Sequence, residues 1–319
     1  MSETKVLVIA TYPDEHASVV ERKIQQIGGE AVVLDPSILI EDKFSVRIGD
    51  EFEFKSERTG TVSSKSIRSV WIRRPMVPKI PNESLTSSQE DFLRNQWSEG
   101  LRGIYSCLRD VLWVSDPEKM VAASHKIFQL QEAGKHLAIP RTIVTNSPHE
   151  AVSFFESCGE TVVIKALGKK WFIGKDGAKK VVPTSILKPS KSGPKFPGIE
   201  TTPVILQECI RKEADVRAFV IGDELFSASI KSPSDNIDWR HSDSSMLRYD
   251  THLLPKRINK SLIKLVRSLG LNYAAADFVV DRFGNYYFLE INALGEFLWL
   301  EEAVGIDISG TLAKLLVGQ

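Results

Sequence analysis

Three side chains near the end of the sequence carry oxygen atoms that could bind one cation. Asp277, Glu290 and Asn292 occur in AAADFVVDRFGNYYFLEIN, residues 274–292. Alternating apolar runs flank the turn-forming residues 282–285, which predicts an antiparallel hairpin whose first strand opens at Asp277. Glu290 and Asn292 close the second strand and share a face, because they are two residues apart. Two carboxylates and an amide suit Mg2+; the alternative is that both carboxylates are ordinary strand-end charges.

Composition limits the classes of protein to consider. The chain of 319 residues is long enough for two or three compact units. Its 41 basic residues balance 41 acidic residues, so no global field favours nucleic acid or a membrane as partner. The sequence has no N-terminal signal segment and no apolar run near the roughly 20 residues that cross a bilayer. We therefore expect a cytoplasmic protein.

The cysteines favour neither a disulfide nor a metal site. Cys107, Cys158 and Cys209 are odd in number and far apart, and each lies in or beside an apolar segment. This pattern is typical of reduced, buried thiols. No cysteine nucleophile is predicted.

The first part of the chain predicts a βαβ unit. Residues 5–11 form an apolar run typical of a buried parallel strand, residues 15–27 predict a helix, and residues 30–34 predict a second strand. No G-x-G-x-x-G follows the first strand, so the phosphate loop of a dinucleotide site is missing. Residues 84–112 carry apolar side chains at helical spacing and predict a long amphipathic helix.

The middle of the chain supplies lysines beside predicted strands. Residues 117–135 predict one helix that carries Lys126, which taken alone would be an ordinary solvated side chain. The apolar strand that follows ends on Lys165. The segment LGKKWFIGKDGAKK, residues 167–180, is rich in glycine and lysine but does not match the P-loop pattern. It is either a phosphate-covering loop or a plain surface hairpin.

Ordered blocks along the chain resemble the ATP-grasp ligases and, in detail, the microviridin-type peptide ligases, also called graspetide synthetases. The blocks cover nearly the whole length and are WIRRP at 71–75, SHKIFQLQEAG at 124–134, IPRTIVTNSP at 139–148, VVIKALG at 162–168, QECIRKEADVR at 207–217, DWRHS at 238–242, and DFVVD with FLEINALGEFLWLEEAVGIDI at 277–308. The resemblance implies an α/β ATP-grasp fold with an ATP cleft between its central and C-terminal parts. The domains implied are an N-terminal βαβ domain at 1–118, a central subdomain at 119–205, and a C-terminal subdomain with the metal site at 206–319.

The resemblance also implies a set of ligands for ATP and Mg2+. Lys126 and Lys165 would reach phosphate oxygens, and the 167–180 segment would close over the triphosphate. The strand around Gln207 resembles the hinge that holds adenine, where backbone groups read the base edge. The implied nucleotide-binding residues of this hinge region are Gln207, Glu208, Cys209, Ile210 and Glu213, and the implied Mg2+ ligands are Asp277, Glu290 and Asn292.

Three further residues are candidates for catalysis. Asp215 and Arg217 lie two apart in a predicted strand and so share a face, which would let the carboxylate orient the guanidinium. The fork of Arg217 would then point to the substrate carboxylate beside the γ-phosphate. By resemblance, Asp215 would lie near the ribose or substrate, and Arg240, in DWRHS, would face the γ-phosphate. Arg73-Arg74-Pro75 is either a surface loop or, by resemblance, places one arginine toward the cleft.

The reaction implied is carboxylate activation by ATP to an acyl phosphate. A Glu or Asp side chain of a ribosomal precursor peptide, with leader and core, would then be joined to a Thr or Ser hydroxyl or a Lys amine, giving a macrocyclic ester or amide. We also expect a homodimer. The chain departs from the family pattern at Ala293-Leu294 and Glu296, which leaves the metal residues intact but puts detailed substrate contacts in doubt. Two alternatives stay open: a ligase that adds a free amino acid, and a non-catalytic ATP-binding regulator.

Overall fold

The computed structural model describes residues 5–81, 84–159, 161–168, 171–188, 196–232, 239 and 243–319. Among the residues singled out above, Arg240 lies outside this described part. So do Asp238 of the DWRHS block, and Lys169 and Lys170 of the glycine- and lysine-rich segment.

Strands and helices follow one another throughout the described chain. The strands are β1 Lys5–Ala10, β2 Glu30–Leu34, β3 Ser45–Arg47, β4 Glu53–Ser56, β5 Gly60–Ser63, β6 Ile67–Arg73, β7 Leu112–Val114, β8 Thr142–Thr145, β9 Val162–Lys165, β10 Trp171–Ile173, β11 Lys179–Val181, β12 Ser185–Leu187, β13 Val204–Glu208, β14 Lys212–Ile221, β15 Glu224–Lys231, β16 Arg248–Thr251, β17 Tyr273–Asp281 and β18 Tyr286–Asn292. The helices are α1 Glu15–Gln26, α2 Ser87–Cys107, α3 Pro117–Ser124, α4 Lys126–Gly134, α5 Pro148–Ser157, α6 Lys256–Ser268, α7 Leu298–Val304 and α8 Ile308–Val317.

The N-terminal part contains the predicted βαβ unit. Its sheet has the order β2-β1-β6-β7 and is parallel throughout. The side chain of Asp14 caps α1 by accepting a hydrogen bond from Ala17 N–H, which satisfies one of the amides left open at a helix start. The apolar run of β1 is buried on both faces, as expected for a central parallel strand.

Two antiparallel sheets follow. The central sheet has the order β12-β9-β13-β8, and a small apolar cluster that includes Phe155 of α5 and Leu206 packs against it. The C-terminal sheet has the order β16-β15-β14-β17-β18. One face of the C-terminal sheet packs on α6 through residues such as Val216 and Leu262. The other face packs on α8 and on the N-terminal sheet in one continuous core that joins Val8, Phe219 and Leu312.

The predicted hairpin at the end of the chain is confirmed. β17 and β18 pair antiparallel, and residues 282–285 turn between them. β17 begins at Tyr273, however, so Asp277 lies in the middle of this strand and does not open it.

Two other sequence expectations were wrong. The single helix expected over 117–135 is two helices, because His125 adopts an extended conformation, with φ −74° and ψ 108°, between α3 and α4. Apolar periodicity continues across this break, which is why the pattern predicts one helix.

The second wrong expectation concerns the cysteines, which were predicted to be buried. Cys107 is exposed, and all three cysteines are unpaired. In the described part of the chain, no helix is both long and apolar enough to cross a bilayer.

Candidate active site

A cavity of about 300 Å3 lies between the central and C-terminal sheets. It is formed by the ends of β9 and β13, the start of β14, and the β17–β18 hairpin. Nine of the residues selected from the sequence line it: Lys165, Gln207, Glu208, Cys209, Ile210, Glu213, Asp215, Asp277 and Glu290. Lys126, Arg217 and Asn292 are not part of this lining and are described separately below.

Two carboxylates face each other across the hairpin. Asp277 of β17 lies directly opposite Glu290 of β18 in the strand register, next to a β-bulge between Asp277 and Phe278. Directly opposite residues have their Cβ atoms about 5 Å apart. The third predicted ligand, Asn292, lies opposite Ala275 at the exposed end of β18, where its side-chain oxygen accepts a hydrogen bond of 2.9 Å from Leu294 N–H.

The oxygen atoms at this end of the cavity fit Mg2+. Within the described residues, no three His, Cys, Asp or Glu side chains form a group that could hold a metal ion by themselves. Mg2+ is commonly held by one or two carboxylates and takes its remaining ligands from water and phosphate. The pair Asp277 and Glu290, with the second lone pair of the Asn292 amide oxygen, meets that requirement.

Arg217 forms an ion pair with the β17–β18 hairpin. Its Nη1 lies 3.3 Å from Oδ1 of Asp277, and its side chain is only 8% exposed. The expectation that Asp215 orients Arg217 was wrong, because Asp215 instead forms a 2.6 Å ion pair with Lys212. The reason lies in the sheet: Arg217 stands directly opposite Asp277 in the β14–β17 register, a shorter separation than two residues along one strand.

The surroundings of Arg217 leave its guanidinium little room. The ring of Phe219 lies beneath it, with Cζ 5.6 Å from the ring centroid. A Cβ added at Gly295 would lie 3.2 Å from Nη2 of Arg217 and would overlap the Cβ of Ala275. The backbone of Gly295 therefore forms one wall around the guanidinium, and a side chain at this position would displace it.

Two lysines meet at the end of β9. Nζ of Lys165 donates to Oε1 of Gln207 at 2.7 Å, and Gln207 in turn donates to Thr142. Nζ of Lys126, at the start of α4, donates to the carbonyl of Ala166 at 2.8 Å. Both ammonium groups thus reach the same strand end from different elements, an arrangement able to bind phosphate oxygens.

Two backbone N–H groups at the end of β13, the strand whose sequence resembles an adenine-binding hinge, already form hydrogen bonds within the protein. Glu208 N–H donates to Arg141 O at 2.9 Å, and Cys209 N–H donates to Thr161 O. A base edge would therefore be read by the remaining polar groups of residues 208–210. Burial raises the pKa of the Cys209 thiol.

Arg73 and Arg74 contact the loop that follows the β17–β18 hairpin, residues 293–297, here called the β18–α7 loop. Arg73 is buried, at 3% exposure, and its Nη1 donates to Leu294 O at 2.8 Å. Arg74 is half exposed and forms a 2.7 Å ion pair with Glu296. Arg73 of the WIRRP block is therefore buried and holds this loop. The sequence offered a surface loop or an arginine directed toward the cleft, and the observed position of Arg73 matches neither alternative fully.

Two further side chains, which sequence reasoning missed, hold the same loop. Nε2 of His16 accepts hydrogen bonds from Phe297 N–H and Leu298 N–H, which requires a neutral imidazole. Burial, followed by the charge of Arg73, lowers the pKa of His16 to about 4. The hydroxyl of Tyr273 donates to Gly295 O at 2.6 Å. No local pattern marks these residues, because their partners are far away in sequence.

Trp239 was also not selected from the sequence. It lines the cavity, and its ring centroid lies 5.2 Å from that of Trp299 on α7. Trp299 in turn lies 5.3 Å from Tyr249 of β16. An aromatic cluster therefore connects the cavity to α7.

Comparison with known proteins identifies related chains. A model of the RimK-like ATP-grasp domain matches residues 121–316. The chain is 26% identical over 193 residues to tetrahydromethanopterin:alpha-L-glutamate ligase of Methanocaldococcus jannaschii, a match that covers 57% of this chain and 62% of that protein. The chain therefore spans less than two thirds of that relative.

Solved structures match over almost the full length. Macrocyclase MdnC of Microcystis aeruginosa, bound with precursor peptide MdnA, is 26% identical with a TM-score of 0.84, over 99% of this chain and 100% of that one. A RiPP-associated ATP-grasp ligase of Chryseobacterium gregarium, in complex with ADP and a leader and core peptide, is 26% identical with a TM-score of 0.88, over 99% and 97%. The predicted α/β ATP-grasp fold is confirmed, and the chain belongs to the RimK-like ATP-grasp family.

Proposed function

We propose that this protein is an ATP-dependent peptide ligase that forms macrocyclic esters or amides in a ribosomally made precursor. The observation that carries the proposal is the cavity between the sheets, which gathers Lys165, the hinge residues 207–210, and the facing carboxylates Asp277 and Glu290. In this cavity Lys165 binds phosphate, residues 207–210 bind the base, and the two carboxylates bind the cation.

The proposed reaction has two steps. In the first, an oxygen of a Glu or Asp side chain of the peptide forms a bond to the γ-phosphorus of ATP, the β–γ bridging bond breaks, and ADP leaves. In the second, a Thr or Ser hydroxyl or a Lys amine attacks the acyl carbon and loses its proton, while phosphate leaves. Both steps concentrate negative charge, so preplaced cations lower the barrier.

The residues divide this work. Lys126 and Lys165 bind phosphate oxygens, and Asp277, Glu290 and Asn292 hold Mg2+, which supplies positive charge beside the reacting phosphate. Arg217, held in place by Phe219 and Gly295, presents a planar guanidinium at the edge of the cation site. Its fork fits the substrate carboxylate that must approach the triphosphate. Arg240 is proposed to face the γ-phosphate.

Relatives support a peptide as the substrate. MdnC was solved with its precursor peptide, and the Chryseobacterium gregarium ligase with ADP and a leader and core peptide. Both match this chain over nearly its whole length, including the N-terminal unit. A second candidate, addition of a free amino acid to a small acid or peptide, is supported by the similarity of 193 residues to a glutamate ligase.

The two candidates give different products. The protein is incubated with Mg2+, ATP, a mixture of free amino acids and synthetic peptides taken from short Thr- and Glu-rich reading frames adjacent to its gene, and the peptides are then analysed by mass spectrometry. Macrocyclisation removes one water for each linkage without adding a residue. A mass gain equal to an amino acid residue would support the second candidate, and ATP binding with no ADP formed on any peptide would contradict the macrocyclase proposal.

A further inference from the structure

Gln129, in the middle of α4, makes an unusually complete set of hydrogen bonds for a helical glutamine. The residue is 4% exposed. Its Nε2 donates to Ala123 O at 2.6 Å and to Ile291 O at 2.7 Å, and its Oε1 accepts from Ile291 N–H at 3.0 Å. Both amide hydrogens and the amide oxygen are therefore used.

The partner of Gln129 lies between two proposed metal ligands. Ile291 separates Glu290 from Asn292 on β18, which is the outer strand of its sheet. The N–H and C=O of Ile291 point away from β17, where the described residues supply no further strand. The side-chain amide of Gln129 takes the place of that strand and fixes the backbone from which both ligands project.

The other contact of α4 lies on the phosphate side. Lys126 is the first residue of this helix, and its Nζ donates to Ala166 O at the end of β9. Lys126 and Gln129 are three residues apart, so they lie on neighbouring positions of one helical turn. One short helix therefore contacts both the strand of the metal ligands and the strand end that carries Lys165.

We propose that Gln129 is a positioning residue that sets the distance between the metal ligands of β18 and the phosphate-binding lysine of α4. The inference rests on the proposed function, because it assumes that the cavity binds ATP with Mg2+. Gln129 does not touch the substrate in this proposal. It acts through Ile291, and its loss should weaken cation binding more than nucleotide binding.

Metal binding can be measured directly, without turnover. Mn2+ replaces Mg2+ as a paramagnetic probe and is titrated into the protein with a non-hydrolysable ATP analogue, with free Mn2+ followed by electron paramagnetic resonance. Gln129→Met keeps the length of the side chain but removes the amide. We expect its Mn2+ affinity to fall about 10- to 100-fold, the usual effect of removing a group that orients a metal ligand.

Two variants provide controls. Gln131 is exposed on the same helix, so Gln131→Met should bind Mn2+ like the wild-type protein. Gln129→Asn keeps an amide on a shorter side chain, and it should fall between wild type and Gln129→Met. This second variant tests the same contact if Gln129→Met does not fold.

A structural role alone predicts a different result. If Gln129→Met and Gln129→Asn lowered the melting temperature but left Mn2+ affinity unchanged, the proposal would be overturned. Equal losses of metal-free nucleotide affinity and Mn2+ affinity would also overturn it. Failure of the peptide-ligase proposal is separable, because it would leave the wild-type protein without any peptide product while the Mn2+ titrations keep their predicted order.

Discussion

The two sheets that face the cavity differ in how they are supported. The C-terminal sheet has an apolar core on each face, and one of these cores continues into the N-terminal sheet through Val8 and Trp71. The central sheet rests on a much smaller cluster around Phe155 and Leu206. The proposed cation site therefore stands on the better-supported wall, whereas Lys165 and the hinge stand on the other.

The largest expected effect comes from the two carboxylates of the β17–β18 hairpin that are proposed to bind the cation. Asp277→Asn and Glu290→Gln each remove one charge from the proposed cation site and should lower ADP release by several powers of ten at saturating Mg2+. Circular dichroism should show an intact fold. Glu224→Gln, which changes an exposed carboxylate on the same sheet, is the control and should keep wild-type activity.

The same pair of variants tests how much the ion pair between Asp277 and Arg217 stabilises the C-terminal sheet. Asp277 is the ion-pair partner of buried Arg217, so Asp277→Asn leaves a buried charge poorly compensated and should lower the melting temperature more than Glu290→Gln does. Near wild-type ADP release from either variant would contradict the metal assignment.

The next effect concerns Arg217. Arg217→Lys keeps the charge but loses the planar fork, and it should lower kcat/KM for the peptide by about 10²-fold, on the order of 3 kcal/mol. ATP affinity, measured by calorimetry, should barely change. Arg282→Lys, on the exposed turn of the β17–β18 hairpin, serves as the control. An equal loss of ATP affinity would make Arg217 a phosphate ligand.

Gly295 tests whether the wall around Arg217 matters. Gly295→Ala would place its Cβ against Ala275 and Arg217, and a displaced guanidinium should lower turnover about 10- to 100-fold. Adding Ala275→Gly removes the overlap with Ala275 but leaves the contact with Arg217. The double variant should regain much of its melting temperature while turnover stays low. Full recovery of turnover would show that only the fold was affected.

A smaller effect is expected from pH at the contact between the N-terminal unit and the β18–α7 loop. His16 is neutral in the fold, with a pKa of about 4 against an ordinary value of 6.5. Below pH 6.5 the unfolded chain binds a proton that the folded chain does not, so stability falls between pH 6.5 and 4, by at most about 3 kcal/mol. The urea midpoint of His16→Gln should depend less on pH over this range, whereas exposed His149→Gln should follow wild type.

The smallest effect concerns the hairpin of β10 and β11, on the less supported side. The residues of both strands are exposed, including the apolar side chains of Phe172 and Ile173. Trypsin should cut at Lys175 in the free protein, and a Mg-ATP analogue should slow that cleavage several-fold if the hairpin covers the triphosphate. Equal cleavage rates would support the plain surface hairpin.

Local patterns predicted the elements but not the contacts between distant ones. Alternating apolar residues and a turn were enough to place Asp277 and Glu290 on facing strands. The pairing of Arg217 with Asp277 depends on the register of β14 with β17, strands separated by more than fifty residues. Asp215 was nearer in sequence and was wrongly chosen as the partner.

Residues whose role depends on a distant backbone were missed altogether. Gln129 resembles a surface residue of a helix until Ile291 is placed beside it. One signal was available, since Gln129 lies four residues before Ala133 on the buried stripe of α4, where a polar side chain needs a partner. His16 and Arg73 contact a loop more than two hundred residues away, which no local spacing reveals.

The covered edge strand β18 of the C-terminal sheet also bears on whether copies of the protein associate with one another. An uncovered sheet edge can pair with an extended segment of another molecule and start aggregation. On β18 the N–H and C=O of Ile291 are hydrogen-bonded to the side chain of Gln129, and Phe288 N–H donates to Ala138 O at 2.9 Å. The strand at the other edge, β16, is only 4 residues long. Through Gln129, α4 thus covers part of this edge, and we expect Gln129→Met also to make the concentrated protein more prone to aggregation.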